Sequence, residues 1–451
     1  MKKIFWLIVL YIIFIGNYSF GVQIVYPKSK NVTINSDKTF FAGNESPNRT
    51  LKINSKKVNL HPSGGFRKAV NLNYGLNTFT IDNGKEKVIY KITRPKQVNK
   101  TDITPSAIIY KNSIFISIIK DNTPLRSTPI DKGFNRLQHF NKGIEFEAIG
   151  EERGFYKVKL SRDDFGFISK DCASEINKKN LANANIKALE HKTEHNNKYI
   201  KISLDKQVPY ALSESEHGLD IVVYNTDNQF QKYEDFIEGK PFGYTSYYND
   251  NNELIISMKK FPITDKKNPL KNIRITIDPG HGGNELGATG CLGTQEKDLN
   301  LEIAKILKNK LTKLGAIVNM TRENDTFVEL NERVELTNNF NSDIFISIHN
   351  NSIPDSAADK DVTGTELYYF YPQSRELAKI LAESISQRTG FKNGKARGQS
   401  FAVIRNTHCI AILAEIGYLI NPEDNYKLIN KDFQNKITDG IIDGLEKYLR
   451  Q

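Results

Sequence analysis

Four side chains in the last third of the sequence have types that work together in catalysis. His281 sits in "IDPGHGG", Glu296 follows in "GTQEKDLNL", His349 ends "DIFISIHNN" and Glu415 lies in "AILAEIG". Two imidazoles and one carboxylate form a common donor set for a catalytic zinc ion, which keeps a fourth position for water. A further carboxylate, not needed as a ligand, can act as general base. It takes a proton from water as that water attacks a carbonyl, then passes the proton to the leaving amine. The pattern therefore predicts metal-assisted hydrolysis, with His281, Glu296 and His349 holding one Zn2+ per catalytic domain and Glu415 as the catalytic base. Asp278 is placed to hold the second nitrogen of a ligand imidazole from behind. Glycines around His281 let the backbone turn sharply and keep the open face of a metal uncrowded.

Each of these residues also has a structural reading. A histidine at a strand end is usually a packed one. Glu296 could complement a helix dipole, with Asp298 competing as the cap. Glu415 could be half of a buried ion pair. "GHGG" has the look of a phosphate loop but lacks the following Lys-Ser/Thr. Convergence in one domain is what favours chemistry over packing.

The elements expected around these residues make that convergence plausible. "IRITID" reads as a strand, with Ile273, Ile275 and Ile277 alternating. "DLNLEIAKILKNKLTKLG" reads as a helix with Leu299, Ile303, Ile306, Leu307 and Leu311 on one stripe and Gly315 as its stop. "AIVNMTR", "DIFISIH", "GTELYYF" and "AILAEIG" are further strands. "VELNERVELTNNF", "QSRELAKILAESISQRTG" and "DFQNKITDGIIDGLEKYL" are helices. Alternation of this kind predicts an α/β domain over 271–451, a largely parallel sheet covered by helices on both faces. In open α/β sheets ligands bind beyond the carboxyl ends of the strands, where His281, His349 and Glu415 should all emerge. Glu296 reaches the same crevice if the loop after His281 folds back.

The segments "IDPGHGG", "GTQEKDLNL", "TRENDTFVELNERVELTNN", "DIFISIHNN", "GTELYYF" and "AILAEIGYLINPEDN" together resemble the zinc-dependent N-acetylmuramoyl-L-alanine amidase family, in that family's order across residues 273–451. The resemblance implies His281, Glu296 and His349 as zinc ligands and Glu415 as catalytic glutamate. It implies peptidoglycan as substrate, cut at the amide between the lactyl group of N-acetylmuramic acid and L-alanine of the stem peptide. Arg322, Arg333 and Asn338 also match family positions and read as structural or rim residues. The chain departs from the family at "NTHCIAILAE", where His408-Cys409-Ile410 replaces the usual proline and His408 becomes a candidate substrate contact. Some relatives plug the zinc with a long helix after the "SIH" strand. Here "NSIPDSAADKDVT" is too short for that, which predicts no autoinhibitory helix and an open cleft.

The rest of the chain reads as delivery and spacing. "MKK" followed by the apolar "IFWLIVLYIIFI" and the small residues Ser19 and Gly21 predicts a signal peptide, residues 1–21. The protein is then exported, to the periplasm or the extracellular cell wall, and is not an integral membrane protein after cleavage. Loss of Lys2 and Lys3 takes the formal net charge from +11 to +9. A basic exported protein suits an anionic, immobile partner such as a cell envelope. Nucleic acid is disfavoured by export and by the lack of any basic run interleaved with aromatics. Three cysteines, Cys172, Cys291 and Cys409, are too few for a disulfide scaffold. A Cys291–Cys409 bridge and two buried thiols both remain open.

Residues 22–97 alternate with period two and carry an Asn83-Gly84 hairpin signal. They resemble bacterial immunoglobulin-like β-sandwich modules, and a polar linker follows at 94–105. Residues 107–175 resemble bacterial SH3-like barrels, with Phe155 and Phe167 where that family usually carries tryptophan. Wall binding through these β-domains is one role and spacing the other. Residues 176–197 are polar and helix-prone, predicting a connector. His191, Glu194 and His195 spell H-x-x-E-H there, a zinc-peptidase pattern that lacks an apolar helix face to carry it. Residues 198–268 predict a small β-rich domain.

Two other functions remain as rivals. One is a zinc peptidase acting on the stem peptides of the wall. The other is a non-catalytic wall-binding protein that keeps only the fold, which the intact set of two His and two Glu argues against.

Overall fold

The computed structural model describes residues 21–96, 107–131, 135–194, 197–214, 218–227, 230–235, 242–405 and 408–451. Residues 1–20 of the expected signal peptide and most of the expected 94–105 linker lie outside them. Two compact units divide the chain: one holds Met1–Pro95 with Cys291–Gly293 and Asp355–Asp359, the other holds the remainder. Among the described residues no helix is long and apolar enough to cross a membrane.

In the first unit, residues 23–94 form a three-stranded and a five-stranded sheet. Alternation decides which side chains go inward: Tyr90 and Ile92 join Phe41, Leu51, Phe66 and Ile81 in a common core. Strands Gly75–Asp82 and Lys87–Arg94 pair antiparallel through the Asn83-Gly84 turn. Gly84 takes a φ of 85° there, and its N–H donates to Asp82 Oδ1 at 2.8 Å.

In the second unit, residues 108–176 build a seven-stranded sheet. Its apolar side chains, among them Ile116, Phe146, Val158 and Ile168, share one buried cluster with Ile200, Ile202, Leu219, Ile221, Leu254 and Ile256 of the following segment. The two stretches therefore do not have separate cores. Residues 176–197 are not a helical connector: Ile186–Glu194 is a strand, paired antiparallel with Asn197–Leu204 from Ile186↔Leu204 to Glu194↔Asn197. It lies at the edge of its four-stranded sheet and is exposed along most of its length. An edge strand needs no apolar face of its own and is protected by charged side chains, which is why its Lys, Glu and His content looked unlike a strand. The H-x-x-E-H pattern therefore has no helix to act from: His191 and Glu194 lie on this strand, and His195 falls outside the described residues.

The C-terminal α/β domain has a six-stranded sheet, in spatial order Ile317–Met320, Arg274–Pro279, Ile344–Asn351, Ile410–Tyr418, Thr365–Tyr369 and Asn393–Gly398. The first four are mutually parallel. Thr365–Tyr369 runs antiparallel to Ile410–Tyr418 and parallel to Asn393–Gly398, so the sheet is mixed. The reversal has a local cause. Between Asn351 and Thr365 there is only a single 3-10 turn, Asp355–Ala357, and no crossover helix to carry the chain back for a parallel entry.

Helices α1 (Glu296–Lys313), α3 (Arg375–Thr389) and α6 (Lys431–Leu449) share a core with Ile275, Ile277, Ile346, Ile412 and Ile416 on one face of the sheet. The α1 stripe buries Leu299, Ile303, Ala304, Leu307 and Leu311, and Gly315 ends the turn at a φ of 87°. The other face packs Phe345, Ala411 and Leu413 against Val403 and Ile404 of the short α4 (Ala402–Arg405), beside α2 (Leu330–Asn339). Helix α5 (Pro422–Leu428) starts on Asn421, whose side chain accepts from the N–H groups of Glu423 and Asp424.

Candidate metal centre

Strand polarity positions the centre. Pro279 and Ile348 are register partners, as are His349 and Glu415, so the ends of three adjacent parallel strands open onto one edge. His281 follows the first of these strands with a φ of 61°, in the left-handed region that side chains rarely adopt. Behind it the chain folds back: Glu296 N donates to Ala288 O at 2.9 Å, and Ala288 N donates to Glu296 Oε2 at 2.7 Å. That return places the first residue of α1 beside the two imidazoles.

Ligand atoms of His281, Glu296 and His349 lie within 4.8 Å of one another, a group that could hold a metal ion. Glu296 Oε1 is 3.2 Å from His281 Nε2 and 3.0 Å from His349 Nδ1. The imidazole planes are nearly perpendicular, at 79°, with centroids 4.9 Å apart. Close approach of this kind leaves no room for side chains on the intervening glycines. A Cβ on Gly280 would lie 2.1–2.7 Å from the His349 ring, and one on Gly287 would lie 2.5 Å from Glu296 Oε2 and 2.7 Å from His281 Cδ2. Gly287 also has a φ of 67°.

The electrostatics follow from this packing. Burial opposes charge on Glu296, but hydrogen bonds from His281 and His349 and their positive charge hold its carboxyl below the usual range. Burial also opposes charge on His349, yet the hydrogen bond and attraction of Glu296 carry it up to about 8. Glu415 is pushed up to about 7, chiefly by burial; His349 opposes this, while Glu296 and Glu366 add to it. A bound dication would lower the proton affinity of all three groups. Glu415 Oε2 is among the buried polar atoms with no hydrogen-bond partner in the described residues, and His281 Nδ1 makes no hydrogen bond there but lies 3.5 Å from Glu285 Oε1. Buried polar atoms are normally satisfied, so the orphan oxygen of Glu415, in register with His349, is free to take a further partner.

Asp278 does not back either imidazole. Its Oδ1 accepts from Thr321 Oγ1 at 2.6 Å and Arg333 Nη1 at 2.7 Å, and its Oδ2 accepts from Ser347 Oγ at 2.7 Å. Those three donors occupy it below the histidines, opposite Ser347 rather than His349. Its influence on the site runs through Arg333, which donates to Pro279 O at 2.9 Å and His281 O at 3.0 Å. Arg322 donates to Pro279 O at 2.9 Å, and to Gly280 O at 3.1 Å and Lys297 O at 2.8 Å. The two buried arginines are thus clamps on the turn that carries His281.

Sequence reasoning missed three supports. Asn300 Nδ2 donates to Gly280 O at 3.1 Å, and Asn350 Nδ2 donates to Asn300 Oδ1 at 2.8 Å. Glu366 sits directly across from Glu415 in register and pairs with Arg397 at 2.8 Å. A charged residue in the middle of "GTELYYF" was the one available signal for it. His408 precedes the strand that starts at Ile410, at the opposite edge of the sheet from Glu415, so it is not a contact of this centre. Cys291 and Cys409 are both buried and are not joined by a disulfide.

A family model described as N-acetylmuramoyl-L-alanine amidase matches residues 275–447. A probable cell wall amidase LytH of Staphylococcus saprophyticus is 38% identical over 185 residues, which cover 41% of this chain and 60% of that protein. Its counterpart in Staphylococcus aureus is 35% identical over 187 residues, covering 41% of this chain and 61% of that protein. The chain thus spans about three fifths of the length of these relatives. Among solved structures, an N-acetylmuramoyl-L-alanine amidase from Clostridium difficile 630 is 36% identical, covering 40% of this chain and 97% of that one at a TM-score of 0.38. Over residues 275–447 the chain is thus similar to N-acetylmuramoyl-L-alanine amidases.

Proposed function

We propose that the protein is an exported, zinc-dependent amidase that hydrolyses the bond between N-acetylmuramic acid and L-alanine in peptidoglycan. The observation that carries this reading is the His281–Glu296–His349 group beside the partnerless carboxylate oxygen of Glu415. Two imidazole nitrogens and a carboxylate oxygen suit zinc, which in catalytic sites of this donor type keeps a fourth position for water. When bound, zinc polarises the scissile carbonyl and makes water acidic enough to attack near neutral pH.

The residues of the chain do the rest. His281, Glu296 and His349 hold the ion, with Arg333 and Arg322 fixing the turn beneath His281. Glu415 takes the proton of the attacking water on Oε2 and delivers it to the departing alanine nitrogen, since the lone pair freed by C–N cleavage needs that proton. Its burial raises its proton affinity, which suits a group that must both accept and give. The segment 22–97 then serves as an immunoglobulin-like module and 107–175 as an SH3-like one, both ahead of the catalytic domain at 271–451. Residues 1–21 direct export, and the net positive charge keeps the protein near an anionic envelope.

Purified wall sacculi, incubated with and without chelator, test this. Mass analysis should find stem peptides with a new N-terminal alanine, and none when metal is removed. Glu415→Gln should retain zinc and lose turnover. Cuts between amino acids of the stem would instead favour the zinc-peptidase reading, and sacculi left intact in the presence of zinc would reject catalysis.

A further inference from the structure

A cavity lies in the same unit, away from the metal centre. It measures about 640 Å³ and is lined by Arg136 and His139 of the seven-stranded sheet, Glu214 and Tyr244 of the following β-segment, and Tyr371 and Arg405 of the catalytic domain. Tyr371 comes just after the Thr365–Tyr369 strand, which runs from beside Glu415 back to Ile412. The cavity is therefore at the amino edge of the catalytic strands, and the metal centre is at the carboxyl edge.

We propose that this cavity binds the free carboxylate of a peptide, as a site separate from the catalytic one. Arg405 is buried, at 8% exposure, and its Nη1 donates to Ser400 O at 3.2 Å and Ser400 Oγ at 2.8 Å. Its Nε is buried with no partner, and so is the Nε of Arg136. Neither guanidinium has an acidic partner among the described residues, and Glu335, at the exposed rim of the cavity, forms no ion pair with them. Burial first, then the charge of Arg136, pulls Arg405 down to about 10. Burial and the charges of Arg136 and Arg405 likewise hold His139 down to about 4, so it is neutral. Two like charges crowded in a low-dielectric pocket are costly, and an anion between them removes that cost. A carboxylate matches the forked donors of a guanidinium.

The remaining walls suit a peptide more than a bare ion. The volume lies in the range of pockets that take a whole small ligand. Tyr244 and Tyr371 form an edge-to-face pair, centroids 5.6 Å apart, as one apolar wall. Glu214 accepts from Gln373 N at 2.8 Å, and burial pushes it up to about 8, so near neutrality it is protonated and does not repel an anion. If the wall is the substrate, its stem peptides are the source of such carboxylates; only that choice of source rests on the proposed function.

Calorimetric titration of the full chain tests the site without requiring turnover, with chelator present so that failure here is separate from failure of catalysis. The probes are the tetrapeptide Ala-Glu-Lys-Ala, its fully amidated form and inorganic phosphate. The free acid should bind at least about tenfold more tightly than the amide, and Arg136→Gln should weaken it by about tenfold or more. Arg405→Lys, which keeps charge but loses the fork, should weaken it as well. Arg136→Gln should leave hydrolysis of a small soluble muramoyl-peptide unchanged. Equal binding of acid and amide, or binding indifferent to both substitutions, overturns the proposal. Tighter binding of phosphate than of the peptide overturns it in favour of a phosphate-bearing polymer.

Discussion

Replacing Arg333 by methionine is the most informative perturbation of the C-terminal α/β domain. Arg333 and Asp278 are buried, at 2% and 1% exposure, and meet at 2.7 Å. Arg333 also donates to Val328 O, Pro279 O and His281 O. Arg333→Met removes the counter-charge of Asp278, which keeps only Thr321 and Ser347 as donors. Breaking a buried pair from one side costs about 3–5 kcal/mol, because the remaining charge stays desolvated. Loss of the three carbonyl contacts, each about 1 kcal/mol net, overlaps with that figure rather than adding fully to it. Asp278→Asn should cost less than Arg333→Met, since the guanidinium retains its three carbonyl acceptors. The double variant Asp278→Asn/Arg333→Met should be more stable than the sum of the single losses predicts, by about 1.5 kcal/mol or more.

Scanning calorimetry of the full chain reads this out, using the transition that rises on adding zinc as that of the catalytic domain. Zinc retained after dialysis should also fall, because His281 O loses its clamp. The pH sign is fixed by Asp278, whose proton affinity is lowered in the fold: burial opposes the charge, but Arg333, Thr321 and Ser347 outweigh it. Its contribution is complete above the unfolded carboxyl value of about 3.9 and is lost as pH falls through the lower folded value, so acid and not alkali exposes it. A loss under about 1 kcal/mol for Arg333→Met, or strict additivity in the double variant, would refute the clamp.

Three other outcomes follow from the same geometry. Gly280→Ala should fold but bind zinc at least about tenfold more weakly, measured by competition with a chromogenic chelator, because the new methyl would occupy the space of the His349 ring. Glu214 has its proton affinity raised in the fold, to about 8 against an ordinary 4.5, so the folded state keeps a proton that the unfolded state gives up. Stability should therefore fall as pH rises between those values, by up to a few kcal/mol, and Glu214→Gln should flatten that slope in melting curves. The purified full chain should digest sacculi with zinc and no added protein, since the segment after His349 is too short for a plugging helix; strict dependence on a partner would contradict this.

The grouping of His281 and His349 beside Glu415 was legible because it is local to strand ends. His281, His349 and Glu415 each follow an apolar run, and parallel strands deliver such residues to one edge whatever the details of packing. Glu296 was harder, since its arrival depends on the Ala288–Glu296 fold-back, yet the glycine-rich loop announced a turn. Asp278 was misplaced because its role depends on Arg333, which lies 55 residues away and enters from α2. No periodicity encodes which of two neighbouring groups such an arginine will reach. The Ile186–Glu194 strand was missed for a related reason. Its stability comes from backbone pairing with Asn197–Leu204 and not from an apolar face, so its side chains carried little strand signal. The shared core of residues 108–258 was equally hidden, because alternation shows that a strand buries one face but not against what.

The antiparallel strand in the C-terminal sheet has a consequence for the proposed base. Had Thr365–Tyr369 entered parallel through a crossover, nothing would fix Glu366 opposite Glu415. Entering antiparallel from a short loop, it brings the two carboxylates into register. Like charges on neighbouring strands raise each other's proton affinity, and Glu366 does so for Glu415. Glu366 does not compete for the metal position, because Arg397 at 2.8 Å and Tyr368 Oη at 2.5 Å hold it. Removing that charge with Glu366→Gln should therefore leave zinc binding intact while making Glu415 a weaker base. The acid limb of the rate profile should move to lower pH, and the maximal rate should fall by less than Glu415→Gln causes. An unmoved limb would mean that burial alone sets the proton affinity of Glu415.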